Sequence, residues 1–373
     1  MNDDTLYRIA LMLCKGMTCK HYRHLVENCG SASRVFEQDE LTLLHLMGSR
    51  AGSAVGCIMD KSTLDAAAKE LDFTEKNGIR VLHFQDPDYP QRLNDAGCED
   101  TPPLLYYKGH ADLNRKHIVS IVGTRKATNY GKVEAMRIVE QMSGIEDLLV
   151  VSGLAYGIDS IAHRTCTEQG METVGVLGHG FKTLYPPENR QLARTMCDGN
   201  GGLLTEYTSD TGISRNQFPA RNRIIAAMSD VTIVVEAAER GGALITAGMA
   251  MGYHRDVMAV PGRNDDSMSH GCNNLIAAGH ARMLRSASDL EEWMGWAVRK
   301  QAGTPLPYDT QPIEGLTKEE SGIIDVLKSA PELTMDEIVE KTNYSIPKTA
   351  TAILSLELKK HIICLAGKKY KII

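Results

Sequence analysis

The chain has 373 residues, of which 43% are hydrophobic, 24% charged and 5% aromatic. This length predicts two or three domains, and the ordinary composition excludes a disordered, collagen-like or coiled-coil protein. The net charge is −6, from 41 basic and 47 acidic residues, so a uniformly basic surface is excluded. Any nucleic-acid contact must therefore come from a local basic patch.

No apolar run approaches the roughly 18 residues of a membrane-spanning helix, and the start of the sequence, Met1 to Asp4, is acidic where a signal peptide is basic. We therefore expect a cytosolic protein that does not contact a membrane. Nine cysteines are scattered without a CxxC pair. This distribution predicts reduced, mostly buried thiols rather than a zinc site or a disulfide framework, and we expect no metal or cofactor.

Residues 1–75 predict a small helical domain of the SAM or helix-hairpin-helix kind, with apolar positions such as Leu6, Ile9 and Leu41 facing its core. The segment Gly16-Met17-Thr18 lies between helical stretches, as does the phosphate-binding turn of a helix-hairpin-helix. One glycine of that motif is absent, so a structural turn is favoured.

Residues 76–300 predict an extended Rossmann-like domain, a doubly wound α/β fold with a mostly parallel sheet. Short β-rich runs alternate here with helical stretches, and several runs are apolar at consecutive positions, which is typical of strands covered on both faces. The predicted strands are 118–122, 148–152, 173–177, 202–205, 231–235 and 257–260.

The end of the chain predicts a linker and a third domain. Residues 301–313 contain three prolines, one glycine and few apolar residues, which is typical of a linker. Residues 314–373 predict three helices and then a two-stranded ribbon, the order of a winged helix. Nine lysines balance nine acidic residues there, so a DNA-binding role for this domain stays open.

Glycine-rich turns follow the predicted strands, where ligands bind in open parallel sheets. Gly123-Thr124-Arg125 follows the first strand, before a helix that begins near Tyr130 with amides suited to a phosphate. A plain βα turn with a surface arginine explains this segment equally well. The segment from Ser152 to Asp159 contains Gly153 and Gly157, and it places Asp159 and His163 on one helix face. We favour capping and local hydrogen bonding over catalysis or metal binding for that pair.

Two later segments carry basic side chains. Gly178-His179-Gly180 precedes Lys182, a candidate phosphate contact, whereas a catalytic role for His179 is disfavoured because no nucleophile accompanies it. The most suggestive segment is 215–223, with three arginines and Phe218 within nine residues. Arginine suits phosphate, and the phenyl ring can stack on a base. Some of these arginines are expected to pair with Glu206 or Asp230 inside the fold.

The last turns are Gly241-Gly242, which open a helix, and Pro261-Gly262-Arg263. Each turn alone is weak evidence. Together, at successive strand ends with arginines interspersed, they predict a long groove for an anionic ligand.

The combination of these elements resembles the DprA/Smf family of DNA-processing proteins over residues 80–290. It comprises Gly123-Thr124-Arg125, Ser152 to Asp159, Tyr185-Pro186, the FPxRNR element Phe218 to Arg223, Leu244-Ile245-Thr246 and Pro261-Gly262. The FPxRNR element is quite specific. The resemblance implies a non-catalytic, single-stranded-DNA-binding protein of natural transformation, which shields incoming strands, loads the RecA recombinase and forms homodimers.

The resemblance also implies roles for individual residues. Thr124 and Arg125 take the place of the family's GSR turn, Arg215 that of a basic residue, and Phe218 that of a base-stacking aromatic. Phe181 replaces a usual aspartate, and the usual SGS before Leu244 is Gly241-Gly242-Ala243, which removes two hydroxyls. The predicted contacts with single-stranded DNA are Gly123, Thr124, Arg125, Gly153, Gly157, Lys182, Arg215, Phe218, Arg221, Asn222, Gly241, Gly242 and Arg263.

The alternative is a nucleotide or phosphoribosyl hydrolase of the lysine-decarboxylase-like class, which shares this type of sheet. Such enzymes need a PGGxGTxxE run whose glutamate performs the chemistry. Gly241-Gly242 lacks the preceding proline and the downstream glutamate, and Glu236 is the remaining candidate for a catalytic acid.

Overall fold

A computed structural model describes residues 4–95, 100–296, 316–328, 333–359, 361–365 and 369–372. The chain forms two compact units, Met1–Lys300 and Gln301–Ile373. The predicted linker, residues 301–313, lies outside the described residues.

The first unit begins with a layer of helices. Their bounds are α1 (Asp4–Leu13), α2 (Cys19–Cys29), α3 (Ala32–Val35), α4 (Glu40–Met47), α5 (Gly52–Met59) and α6 (Leu64–Lys76). The turn at Gly16-Met17-Thr18 is structural, because Gly16 has a φ of +88° and the Thr18 hydroxyl caps α2 by accepting a hydrogen bond from the His21 amide at 3.1 Å. Ile9 is fully buried as predicted, but Leu41 is 79% exposed, so its assignment to the core is wrong.

The remainder of this unit is a nine-stranded sheet with helices on both faces. Its strands are β1 (Arg80–His83), β2 (Leu104–Gly109), β3 (His117–Val122), β4 (Leu148–Ser152), β5 (Glu172–Val176), β6 (Gly202–Thr205), β7 (Val231–Val234), β8 (Asp256–Ala259) and β9 (Arg282–Met283). The helices between and after them are α7 (Gln91–Asp95), α8 (Asn129–Met142), α9 (Ile158–Glu168), α10 (Arg190–Asp198), α11 (Gln217–Ala227), α12 (Gly242–Gly252), α13 (His270–Ala277) and α14 (Ala287–Met294).

The strand order is β1-β2-β6-β5-β4-β3-β7-β8-β9, and all neighbours are parallel except β1 with β2 and β2 with β6. The doubly wound, mostly parallel sheet is therefore confirmed, and β1, β2 and β9 extend it beyond the predicted strands. From β3 the chain adds β4, β5 and β6 on one side and β7, β8 and β9 on the other. This reversal leaves a crevice at the carboxyl ends of β3 and β7, the position where doubly wound sheets bind ligands.

The core shows why β3 is apolar at consecutive positions. Ile118 and Val122 pack into one hydrophobic cluster, whereas Val119 and Ile121 pack into another on the opposite face of the sheet. The first cluster also contains apolar residues of α1 to α6, such as Ile9. The core thus runs continuously from the helical layer onto the sheet, past the domain boundary predicted at residue 75.

The second unit has the winged-helix fold. It contains α15 (Lys318–Lys328), β10 (Leu333–Thr334), α16 (Met335–Thr342), α17 (Ile346–Leu358), β11 (Ile362–Leu365) and β12 (Lys369–Ile372), with sheet order β10-β12-β11. The buried Glu320 is paired with an exposed lysine: both of its carboxylate oxygens accept hydrogen bonds from the Lys359 ammonium at 2.8 Å. This pairing lowers the pKa of Glu320 to about 2.

Candidate nucleic-acid interface

A cavity of about 680 Å³ opens at the crevice beside β3 and β7. Its walls come from the turns after β3, β4 and β7 and from the start of α11. The predicted site residues in its lining are Gly123, Thr124, Arg125, Arg215, Phe218, Arg221, Asn222, Gly241 and Gly242. The fold therefore brings together segments that are up to about 120 residues apart in the sequence.

Three arginines of this lining are exposed: Arg125, Arg215 and Arg240. Within the described parts of the chain, none of them has an ion-pair partner. Asp159 is the carboxylate in the lining, and it is buried and accepts hydrogen bonds from the amides of Gly153 at 3.1 Å and Ala155 at 3.4 Å. Burial raises the pKa of Asp159 and so favours the neutral, protonated form of its carboxyl group. The cavity therefore favours an anionic ligand.

Three aromatic rings form a row from this cavity into the small pocket that adjoins it: Phe218 and Tyr185 line both, and Tyr156 lines the adjoining pocket. The ring of Phe218 lies 5.6 Å from that of Tyr185, which lies 6.3 Å from that of Tyr156. The Arg125 guanidinium lies over the Phe218 ring, 5.5 Å from its centre. All three rings are partly exposed, so their free faces can stack on planar groups.

Sequence reasoning identified Phe218 but not the tyrosines or Arg240. Tyr185 belongs to the Tyr185-Pro186 element and Tyr156 to the segment from Ser152 to Asp159. The sequence showed both segments, but it did not show that these tyrosines lie close to Phe218.

Arg221 forms the floor of the cavity rather than its surface. It is only 4% exposed, and its guanidinium donates hydrogen bonds to the carbonyls of Gly153 and Val176 and, at 2.9 Å, to Asn222 Oδ1. Burial lowers the pKa of Arg221 to about 10, while the nearby Asp159 opposes this shift. Arg221 thus ties the turn after β4 to the end of β5.

Two of the helices that begin near the cavity, α12 and α8, differ in their N-termini. The Gly241 cap of α12 makes no side-chain hydrogen bond, and both Gly241 and Gly242 line the cavity. At α8 the Thr128 hydroxyl caps the Gly131 amide, and the buried Glu236 carboxylate accepts from the Thr128 amide at 2.9 Å. Of the two interpretations left open for this turn, the structure favours the plain βα turn at the start of α8, because the Glu236 carboxylate occupies the place that a phosphate would take.

Four predicted residues lie outside this lining. Gly153 borders a small adjoining pocket, and Gly157, with a φ of +77°, passes so close to the Thr124 carbonyl that a side chain would collide with it. Lys182 pairs with Asp210 at 2.6 Å, and the exposed Arg263 pairs with Asp265 at 2.9 Å. Both cations therefore have an ion-pair partner, whereas the cavity arginines have none among the described residues.

The expected internal pairing within the segment 215–223 is confirmed for one arginine. Arg223 binds both oxygens of Glu206, at 2.6 and 2.7 Å, in a largely buried ion pair. Asp230 has a different partner, Arg92, at 2.7 Å.

The candidate acid–base residues are structural. His163 is fully buried, its Nδ1 lies 2.7 Å from Thr173 Oγ1, and burial lowers its pKa to about 3. His179 is buried and its Nε2 accepts a hydrogen bond from the Tyr185 amide at 3.2 Å. Glu236 is 1% exposed and is absent from the cavity lining. None of the three faces the cavity.

The described residues contain no group of three or more His, Cys, Asp or Glu side chains suited to a metal ion. In the same ranges, no helix has both the length and the apolar character to cross a bilayer.

Comparison with known protein families gives two matches. Residues 80–295 match the family model of DNA recombination-mediator protein A, and residues 307–368 match the model of the DprA winged helix domain. The chain is also 34% identical to Protein Smf of Synechocystis over 332 residues, which cover 81% of this chain and 82% of that protein.

Two solved structures have related folds. The X-ray structure of DNA processing protein A from Streptococcus pneumoniae matches with a TM-score of 0.67 and 31% identity, over 79% of this chain and 98% of that one. A structure that describes the single-stranded DNA binding mode of the Helicobacter pylori protein matches with a TM-score of 0.52 and 26% identity, over 59% and 97% of the two chains. The names of these relatives describe DNA processing and DNA binding, and none of them states a catalysed reaction.

Proposed function

Because this chain belongs to the DNA recombination-mediator protein A (DprA/Smf) family, we propose that it binds single-stranded DNA in the cavity beside β3 and β7. The observation that carries this proposal is the combination, in one cavity, of two partly exposed aromatic rings, Phe218 and Tyr185, with three exposed arginines that have no ion-pair partner among the described residues. The arginines can bind phosphates, and the aromatic rings can stack on unpaired bases. A DNA duplex keeps its base faces stacked, so only a single strand can use both.

We assign the residues as follows. Arg125, Arg215 and Arg240 bind phosphates, and the amides of Gly241 and Gly242 at the start of α12 add hydrogen-bond donors. Phe218 stacks on a base, with Tyr185 beside it. Gly123, Thr124 and Asn222 also line the cavity, and Arg221 forms its floor. Lys182 and Arg263 lie outside the lining and stay candidate contacts for the strand beyond it.

The finer parts of the role rest on the family relationship. We propose that the protein loads the RecA recombinase onto the bound strand in the cytosol, in transformation or another recombination process. We also propose that it acts as a homodimer formed through the Rossmann-like domain, with the Leu275-Ile276 region of α13 as the candidate contact.

The hydrolase alternative has little support in the site. Its candidate acid, Glu236, is buried against Thr128 and is not part of the cavity lining. Asp159 does line the cavity, but its carboxylate is engaged by backbone amides.

One titration tests the proposal. The purified protein is added to a labelled oligothymidine and to a duplex of the same length, and fluorescence anisotropy is followed at several salt concentrations. We expect clear preference for the single strand and an affinity that falls as salt rises. Equal affinity for both oligonucleotides, or release of product from nucleoside monophosphates that Glu236→Ala abolishes, would contradict it.

A further inference from the structure

The loop that carries Arg215 to the cavity has no regular secondary structure. Residues 206–216 connect β6 to α11, and the stretch from Gly212 to Asn216 is exposed. This loop therefore needs contacts elsewhere to hold Arg215 at the cavity.

One side-chain contact of this loop comes from the helical layer, from a residue 139 positions away in the sequence. Glu70, in the middle of α6, accepts a hydrogen bond from the Ser209 amide at 2.7 Å and another from the Ser209 hydroxyl at 2.5 Å. Glu70 is 6% exposed and Ser209 is 3% exposed. A buried carboxylate is strongly unfavourable without such donors, so this contact resists displacement.

The turn after β5 holds the same part of the loop from the other side. The Lys182 amide donates to the Ser209 carbonyl at 3.2 Å, and the Gly180 amide donates to the Thr211 carbonyl at 2.9 Å. Gly180 lies so close to the carbonyls of Thr208 and Ser209 that a side chain there would collide with them. The loop is thus fixed at residues 208–211, and the exposed stretch that ends in Arg215 extends from this fixed point.

We propose that Glu70 is a positioning residue for the DNA site, through which the N-terminal helical layer sets the location of Arg215. This inference rests on the proposed function, because it assigns Glu70 to the same site. Glu70 touches no DNA. It acts on Arg215 through Ser209 and leaves Arg125 alone, because Arg125 sits on a separate turn whose Thr124 amide bonds to the Glu236 carbonyl at 2.8 Å.

A pair of double-mutant cycles tests this. Dissociation constants for a labelled oligothymidine are measured for the wild type, Glu70→Ala, Arg215→Ala, Arg125→Ala and the two double variants that contain Glu70→Ala. We expect Glu70→Ala to weaken binding about tenfold, which is the order of the loss when one charge-assisted hydrogen bond to a phosphate is removed. In the Glu70→Ala background, Arg215→Ala should add little, whereas Arg125→Ala should keep its full effect.

Two further variants control for misfolding. Glu70→Gln retains one oxygen that can accept a hydrogen bond from Ser209, so it should recover much of the affinity that Glu70→Ala loses. If Glu70→Ala does not fold, as judged by circular dichroism, Ser209→Ala replaces it in both cycles, because it removes the hydroxyl donor and keeps the amide.

The outcomes separate this inference from the proposed function. The inference is overturned if Arg215→Ala lowers the affinity as much in the Glu70→Ala background as it does in the wild type. The inference is also overturned if Glu70→Ala reduces the affinity losses from Arg215→Ala and from Arg125→Ala equally, because that result indicates a general loss of stability. Absence of any effect of Arg125→Ala and Arg215→Ala in the wild-type background refutes the proposed function itself.

Discussion

Neutralising the three cavity arginines should change the salt dependence of DNA binding by a calculable amount. Arg125, Arg215 and Arg240 line the cavity without ion-pair partners among the described residues, so each is available to one phosphate. Each phosphate contact contributes about 0.7 to the slope of log affinity against log salt for a single strand. The variant in which all three are alanine should therefore have a slope smaller by about 2.

This difference is large enough to measure directly. Between 50 and 200 mM salt, a difference of about 2 in slope corresponds to a roughly twentyfold difference in affinity loss. The wild type should therefore lose roughly twentyfold more affinity over this range than the triple variant does. Fluorescence anisotropy with an oligothymidine at four or five salt concentrations gives both slopes, and each single variant should lower the slope by about 0.7.

Arg194→Ala is the matched control, because it removes the same charge from an exposed arginine of α10 that pairs with Asp198 and does not line the cavity. We expect the slope of Arg194→Ala to equal that of the wild type. A triple variant with an unchanged slope, or an equal decrease in Arg194→Ala, would refute the reasoning, since binding would then depend on net charge and not on the cavity.

Three further predictions follow from individual contacts. Phe218→Ala should weaken oligothymidine binding by about 1–3 kcal/mol with almost no change in salt slope, because it removes a stacking face and no charge; a decrease in slope as large as that of Arg125→Ala would contradict this. Arg221→Lys should lower the free energy of unfolding in urea by about 2 kcal/mol, because a lysine cannot satisfy both carbonyls that the buried guanidinium binds; unchanged stability would show that those hydrogen bonds contribute little. Burial lowers the pKa of His163 from 6.5 to about 3, so between these pH values the unfolded state binds more protons than the folded state. His163 should therefore lower the free energy of unfolding by about 1.4 kcal/mol for each pH unit that the pH falls. Urea unfolding at pH 6, 5 and 4 measures this slope, and His163→Asn should reduce it; an identical slope in that variant would remove His163 as the cause.

The sequence predicted the parallel part of the sheet well because its strands are buried on both faces. Strands such as β3 and β4 read as short continuous apolar runs that alternate with helical periods, and local patterns of this kind depend little on distant residues. The antiparallel strands β1 and β2 were missed, since they extend one edge of the sheet where no βαβ unit marks them.

The candidate site was only partly readable from the sequence. Glycine-rich turns at strand ends predicted the edge of the sheet at which the cavity lies, because that rule follows from the topology alone. The fate of each side chain was not readable: in one short helix Arg221 forms the cavity floor and Arg223 pairs with Glu206, whereas Arg215 just before it stays free. Which of these happens depends on the carbonyls and carboxylates that other strands bring close.

The sequence by itself determined the class of fold, the winged helix near the end of the chain and the strip of arginines that suits an anionic polymer. Only the tertiary structure decided that Tyr156 and Tyr185 join Phe218, that Glu236 occupies the start of α8, and that Glu70 reaches Ser209 from a helix 139 residues away. The reason is that hydrophobic periodicity and turn chemistry act between neighbours in the chain. Charge pairing and ring contacts depend on distances that exist only after the layers pack.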